Sequence, residues 1–205
     1  MKLLLIVFLL ASCAGYKFRK RENPFTQFGV NSLSVPMFYN HSNLHNVSGV
    51  FTQRIFSTMT EYKGLKLYEG NRPADATLIG IIESSQKRRD SVLPENYKST
   101  KNTYGEDFFD DKREHFLLPS SNRIRLQIRI IVIKHPTPEE IKFLTSSFGR
   151  KGTSSKVIFN EVIKLTDVYN LQENEGAGIE VLGSQNRGVQ RNSIEGLALK
   201  AASNF

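Results

Sequence analysis

RIRLQIRIIVIK, residues Arg123 to Lys134, is the stretch from which the fold can be read outward. Ile124, Leu126, Ile128, Ile130 and Val132 fall on one set of alternate positions, and Arg123, Arg125, Gln127 and Arg129 on the other. Successive side chains of a strand point to opposite sides of its sheet, so this pattern predicts a strand with one buried and one hydrophilic face. His135-Pro136-Thr137-Pro138 ends it, because proline fixes φ and removes a backbone donor. Thr137 is then placed to cap a short helix over Glu139 to Phe148, with Pro138 at its first position.

Beyond the turn Gly149-Arg150-Lys151-Gly152, a last strand is predicted from Ser154 to about Val168. It would turn Val157, Phe159, Ile163 and Leu165 inward and Lys156, Asn160 and Lys164 outward. Asn170 to Arg187 is rich in Gly and Glu and reads as a linker. Asn192 to Phe205 reads as a closing helix, apolar at Ile194, Leu197, Ala198 and Ala201.

Working back from Arg123, residues 90–122 are polar, carry two prolines, and mix charge with Tyr97, Tyr104, Phe108, Phe109 and Phe116. Loops of that length are uncommon in a compact domain. The segment reads as an insertion at a hairpin tip, either ordering against a partner or having no role. Before it, Ala74-Asp75-Ala76 opens a strand running from Thr77 to Arg88, and Leu65 to Glu69 forms a short one. Val47, Val50, Phe51, Ile55, Met59 and Tyr62 recur at spacings of three and four, which predicts a helix from Asn46 to Tyr62. Asn46 would be its N-cap and Gly64 its stop. Earlier still, Leu33, Val35 and Met37 alternate with Ser32 and Ser34 in a strand from Val30 to Tyr39. Pro36 requires that strand to have an unpaired position or an edge location. The fold class expected is α+β: two helices packed on one face of a mainly antiparallel sheet of four to five strands.

The start of the chain is of another kind. Lys2 precedes an apolar run, Leu3 to Leu10, followed by Ala11-Ser12-Cys13. A charged residue, a short apolar region and small residues make a secretory signal. A membrane-spanning helix needs roughly 20 apolar residues, so the run is too short to be one. Leu10 to Cys13 resembles a bacterial lipobox, with cleavage between Ser12 and Cys13 and a lipid on Cys13. The expected organisation is a signal peptide over 1–12, a lipidated basic tether over 13–28, and a single domain over 29–205 with its insertion at about 90–122. Lys17, Arg19, Lys20 and Arg21 lie close to the anchor. There they serve either an anionic membrane surface, at about 1 kcal/mol each, or solubility alone.

Composition narrows the function. The chain has 205 residues, a formal charge of +8 and one cysteine. If Cys13 carries lipid, no thiol remains for a disulfide or a metal, and the covalent lipid is the one group expected in place of a cofactor. A basic exported protein meets anionic lipid or acidic glycan, and export sets nucleic acid aside.

Several of these pieces occur together in one order. A lipobox leads into Cys13-Ala14-Gly15-Tyr16-Lys17-Phe18, and a strand ends Ser34-Val35-Pro36-Met37-Phe38-Tyr39-Asn40. A helix follows, then Gly64-Leu65-Lys66-Leu67-Tyr68 and Ala74-Asp75-Ala76-Thr77-Leu78-Ile79-Gly80-Ile81-Ile82. This order resembles the LPS-assembly lipoprotein family, LptE. The similarity covers the first half to about residue 89 and is thinner over 120–168. The segment 90–122, the extra helix near 139–148 and a short terminal helix depart from the pattern.

The resemblance implies a non-enzymatic role in the outer membrane of a Gram-negative bacterium. There the protein would plug and help assemble an LptD-like β-barrel and bind lipopolysaccharide during its insertion into the outer leaflet. Ala14, rather than Asp, after the lipidated cysteine agrees with the outer membrane. The residues expected to contact lipopolysaccharide or the barrel are Lys87, Arg89, Arg123, Arg125, Arg129, Lys156 and Lys164. Guanidinium forks match phosphate geometry, whereas the bland alternative is a solvated face. Two other readings are an envelope lipoprotein that binds peptidoglycan or another acidic glycan, and a structural partner of another outer-membrane complex. An exported hydrolase would need a pocket with a perturbed acid or base, and the sequence holds no Gly-x-Ser-x-Gly or P-loop motif. His41 and His45 flank a turn without a partnering glutamate and are not expected to hold a metal.

Overall fold

A computed structural model describes residues 21–84, 91–101, 115–146, 155–171 and 179–204. Among the described residues nine strands and three α-helices follow one another. They are β1 (Arg21–Glu22), β2 (Ser32–Val35), β3 (Tyr39–Asn40), α1 (Val47–Met59), β4 (Tyr62–Lys63), β5 (Lys66–Glu69) and β6 (Ala76–Ser84). After these come β7 (Val92–Lys101), β8 (His115–Lys134), α2 (Pro138–Thr145), β9 (Val157–Asn170) and α3 (Ile179–Ser203).

The stretch that anchored the sequence reading becomes the spine. β8 is 20 residues long and pairs antiparallel with β9 on one side, and with β6 and then β7 on the other. Its even positions, Ile124 to Val132, are fully buried against α1 and α3. The architecture is therefore α+β with two helices on one face, as expected. The sheet is larger and mixed: seven strands, with β2 parallel to both β5 and β6, and β3 parallel to β6. Parallel neighbours need a long crossover, and the connection from β2 to β5 through α1 supplies one. Alternation within a single strand carries no information on that point.

β2 and β3 lie along β6 with a break at Pro36-Met37-Phe38. The break turns Phe38 into the core, 2 % exposed, onto the bare backbone of Gly80. A β-carbon at Gly80 would stand 2.3 Å from the ring, so only glycine fits beneath it. On the other face of the sheet α2 seals a second, smaller cluster of Ile79, Ile81, Ile131, Ile133 and Leu144.

Four sequence boundaries move. Residues 21–28, read as the end of the tether, belong to the folded body. Arg21 and Glu22 pair with Tyr62 and Lys63, Phe25 is buried, and the Asn23 amide donates to the Val30 carbonyl at 2.8 Å. Asn46 adopts φ 60° and makes no side-chain cap, while Gly64 forms a left-handed turn between β4 and β5 rather than the end of α1. The described parts of 90–122 are strand and extend the sheet as a hairpin arm. The closing helix begins at Ile179, within the stretch read as a linker and well before Asn192; residues 183–188 are mostly exposed and offer no apolar stripe from which to read it. Among the described residues no helix is long and apolar enough to cross a membrane.

Candidate functional site

The hydrophilic face of β8 continues onto β9 by register. Arg123 stands opposite Val168, Arg125 opposite Thr166, Gln127 opposite Lys164 and Arg129 opposite Val162. Four of the seven basic residues expected to form a site, Arg123, Arg125, Arg129 and Lys164, thus share one strip of sheet that α1 and α3 leave uncovered. Val162 and Val168 lie in the same strip, 45 % and 44 % exposed. Cationic and apolar groups therefore alternate across it.

The four cations are held differently. A bulge in β7 pairs Pro94 with Asn122 and Asn96 with Ser121, leaving Glu95 as the extra residue. Bulges re-aim side chains, and this one sends Glu95 to Arg123, whose Nε donates to Oε2 at 2.7 Å. Arg129 Nε donates to the Asn160 side-chain oxygen at 3.0 Å. The side chains of Arg125 and Lys164 make no hydrogen bond or ion pair with another described residue. They are the two charges of the strip left to meet an anion. Beside Arg129 a recess of about 290 Å³ opens under the end of α2, floored by Ile81, Leu144 and Val162.

Of the remaining expected basic residues, the described one, Lys156, is not brought into the strip. Lys156 lies just before β9, and its Nζ donates to Glu140 of α2 at 3.1 Å. Lys87 and Arg89, like Ser12 and Cys13, lie outside the described residues. Ser32 and Ser34 of β2, which looked like further hydrophilic face, are absorbed locally. Ser32 Oγ accepts from the Asp75 amide at 2.9 Å, and Ser34, 1 % exposed, donates to the Gly70 carbonyl. Val157, expected among the inward residues of β9, packs into the second cluster on the opposite face. A bulge at Ile158 is the reason: Val132 pairs with Phe159 and Ile133 with Val157, so the alternation slips by one. Phe159, Ile163 and Leu165 face the helices as expected. Val162 and Val168 went unremarked as part of the strip, although they share the parity of Lys164.

Two carboxylates brace the region. Asp75 accepts from the backbone N–H groups of Asn31 and Ser32 at 3.0 and 2.9 Å. The Asn31 amide foremost, then the Ser32 groups, hold its carboxyl below the ordinary aspartate value. Glu140 completes a capping box: Thr137 Oγ1 accepts from the Glu140 amide at 3.2 Å, while the carboxylate accepts from the Thr137 amide at 2.8 Å. That amide and then Lys156 lower its pKa. The short helix is thereby fixed at its start and tied to β9.

No protein-family model matches the chain, and no curated protein does. Among solved structures it is similar to a putative lipoprotein from Caulobacter crescentus, 6 % identical, covering 82 % of this chain and 83 % of that one, with a TM-score of 0.39. It is also similar to the rare lipoprotein B of Shewanella oneidensis, 7 % identical over 84 % and 89 %, TM-score 0.35. A third neighbour is the lipoprotein GNA1162 of Neisseria meningitidis, 8 % identical over 78 % and 96 %, TM-score 0.34. These neighbours are bacterial lipoproteins. Overlap this loose carries no argument, and the fold rests on the strand register and packing described above.

Proposed function

We propose that the chain is a non-enzymatic outer-membrane lipoprotein of the LptE kind. In this reading it binds lipopolysaccharide and seats itself in an LptD-like barrel, tethered by lipid on Cys13. One observation carries the reading. The sheet face left uncovered by α1 and α3 presents Arg125 and Lys164 without described partners, flanked by Arg123, Arg129 and the exposed Val162 and Val168. Phosphorylated lipid A asks for that mixture, because its phosphates need charged donors and its acyl chains need apolar surface. The motif order in the first half of the sequence supports the same reading.

Purified wild-type protein and an Arg125→Glu/Arg129→Glu variant are compared for lipopolysaccharide binding at two salt concentrations. Binding is expected to weaken by about tenfold or more, equivalent to about 1.4 kcal/mol, and to lose part of its salt dependence. Equal affinity for the two proteins would overturn the role of the strip. Affinity capture from detergent-solubilised outer membrane addresses the partner: recovery of a large barrel supports the proposal. Retention on cell-wall sacculi alone would favour the acidic-glycan alternative instead.

A further inference from the structure

α2 does more than close the second cluster. On its side facing away from β9 lies a cleft of about 660 Å³, within the size range of small-ligand sites. Its floor is the hydrophilic side of β2, β3 and β6, and its walls are the 71–74 turn and the β8–α2 corner. Arg72 from the 71–74 turn and Lys142 from α2 both line it, as does His135. Among the described residues no Asp or Glu lines the cleft, and neither the Arg72 nor the Lys142 side chain pairs with another of them. The nearby carboxylates are already committed, Asp75 to two backbone amides and Glu140 to Thr137 and Lys156.

The rest of the lining is suited to a sugar more than to a bare ion. Pro73, Pro136 and Pro138 present rigid C–H faces, and Tyr39 adds an aromatic ring. On the floor Thr77 is only 7 % exposed, and its hydroxyl bonds to no other described residue. His135 is held at φ 40°, one of two described non-glycine residues with positive φ. Its amide donates to the Asp75 carbonyl at 3.1 Å, which fixes the corner in that sparsely populated conformation.

We propose that this cleft binds a phosphorylated saccharide. The phosphate is held between Arg72 and Lys142, and the pyranose ring lies against Tyr39 and the prolines with a hydroxyl on Thr77. The inference deepens the function proposed above and rests on it for the biological source of the ligand. It places one phosphorylated sugar at α2, away from the Arg125 strip, which keeps a second lipid A phosphate and the acyl chains.

The test is a ¹H–¹⁵N NMR titration of the full chain in detergent micelles with N-acetylglucosamine 1-phosphate. Inorganic phosphate is titrated in parallel, and lipopolysaccharide binding is measured on the same proteins. Saturable shifts at Tyr39, Asn71 to Ala74 and His135 to Lys142 are expected, with a dissociation constant on the order of 1 mM. An Arg72→Glu/Lys142→Glu variant, altered only at exposed side chains, should bind the sugar phosphate about tenfold or more weakly. Arg125→Glu/Arg129→Glu should leave this binding unchanged. Absence of shifts at the cleft, or no effect of the Arg72/Lys142 variant on them, overturns the proposal. So does equal affinity for inorganic phosphate, which would mark an anion site without sugar recognition. If lipopolysaccharide binds while the cleft ignores the sugar phosphate, the cleft falls and the function stands. If the sugar phosphate binds at the cleft while lipopolysaccharide does not bind at all, the cleft stands and the function falls.

Discussion

Gly80→Ala adds one methyl group at a buried position of β6, and the geometry says what that methyl group meets. An ideal β-carbon at position 80 lies 2.3 Å from Phe38 Cδ2 and 2.4 Å from Cε2 and Cγ. Ordinary contact begins at 3.4 Å, so the ring or the strand must yield by about 1 Å. Phe38 is 2 % exposed and has little free space to take up that shift. Overpacking of this kind costs roughly 1–3 kcal/mol. In a chain of this size each kcal/mol lowers the thermal midpoint by roughly 2–4 °C. Urea denaturation followed by circular dichroism gives the loss directly. A Phe38→Leu background separates the stated cause from a general dislike of alanine at this position. There the shorter side chain should relieve the clash, and Gly80→Ala should cost roughly 1 kcal/mol less than it does in the wild type. Equal costs in the two backgrounds would refute the argument, as would an undiminished midpoint for Gly80→Ala alone.

Asp75→Asn removes the charge from a side chain that accepts two backbone N–H groups. The folded carboxyl titrates below its ordinary value of 3.8, so its contribution is complete above that value and is lost as pH falls through the folded pKa. Urea midpoints measured from pH 6 downward should fall less steeply below about pH 4 in Asp75→Asn than in the wild type, and parallel curves would count against the assignment. Thr137→Ala deletes the α2 cap and should cost about 1 kcal/mol of local stability. Faster amide hydrogen exchange at Glu140 and Ile141 with an unchanged rate in β8 is the expected signature, while unchanged exchange at Glu140 would mean that the cap is not what holds the helix.

The elements whose burial is one-sided were legible in the sequence. β8 alternates from Arg123 to Ile130, α1 carries Val47, Phe51, Ile55 and Met59 at spacings of four, and Thr137-Pro138 announced the start of α2. The strip was half legible. Its arginines were singled out by alternation, and Val162 and Val168 could have been added from the parity of Lys164. What could not be read was which charges were already answered. Glu95 reaches Arg123 only through a bulge, and Glu140 meets Lys156 only because α2 folds back over the sheet. The cleft was invisible for the same reason, since Arg72 and Lys142 are far apart in the chain and neither belongs to a motif.

By itself the sequence determined an α+β domain built on β8 and two helices for one sheet face. Those features depend on local periodicity and on short contiguous patterns, which a single chain displays directly. The tertiary structure alone decided that the sheet is mixed and that β7 extends it. It also decided that Phe38 closes over Gly80, that the slip at Ile158 sends Val157 to the other face, and that α2 stands opposite the other two helices. Each of these is fixed by contact between segments distant in sequence, where the winning arrangement is the one that buries the most apolar surface without leaving a strand amide or a side chain in conflict.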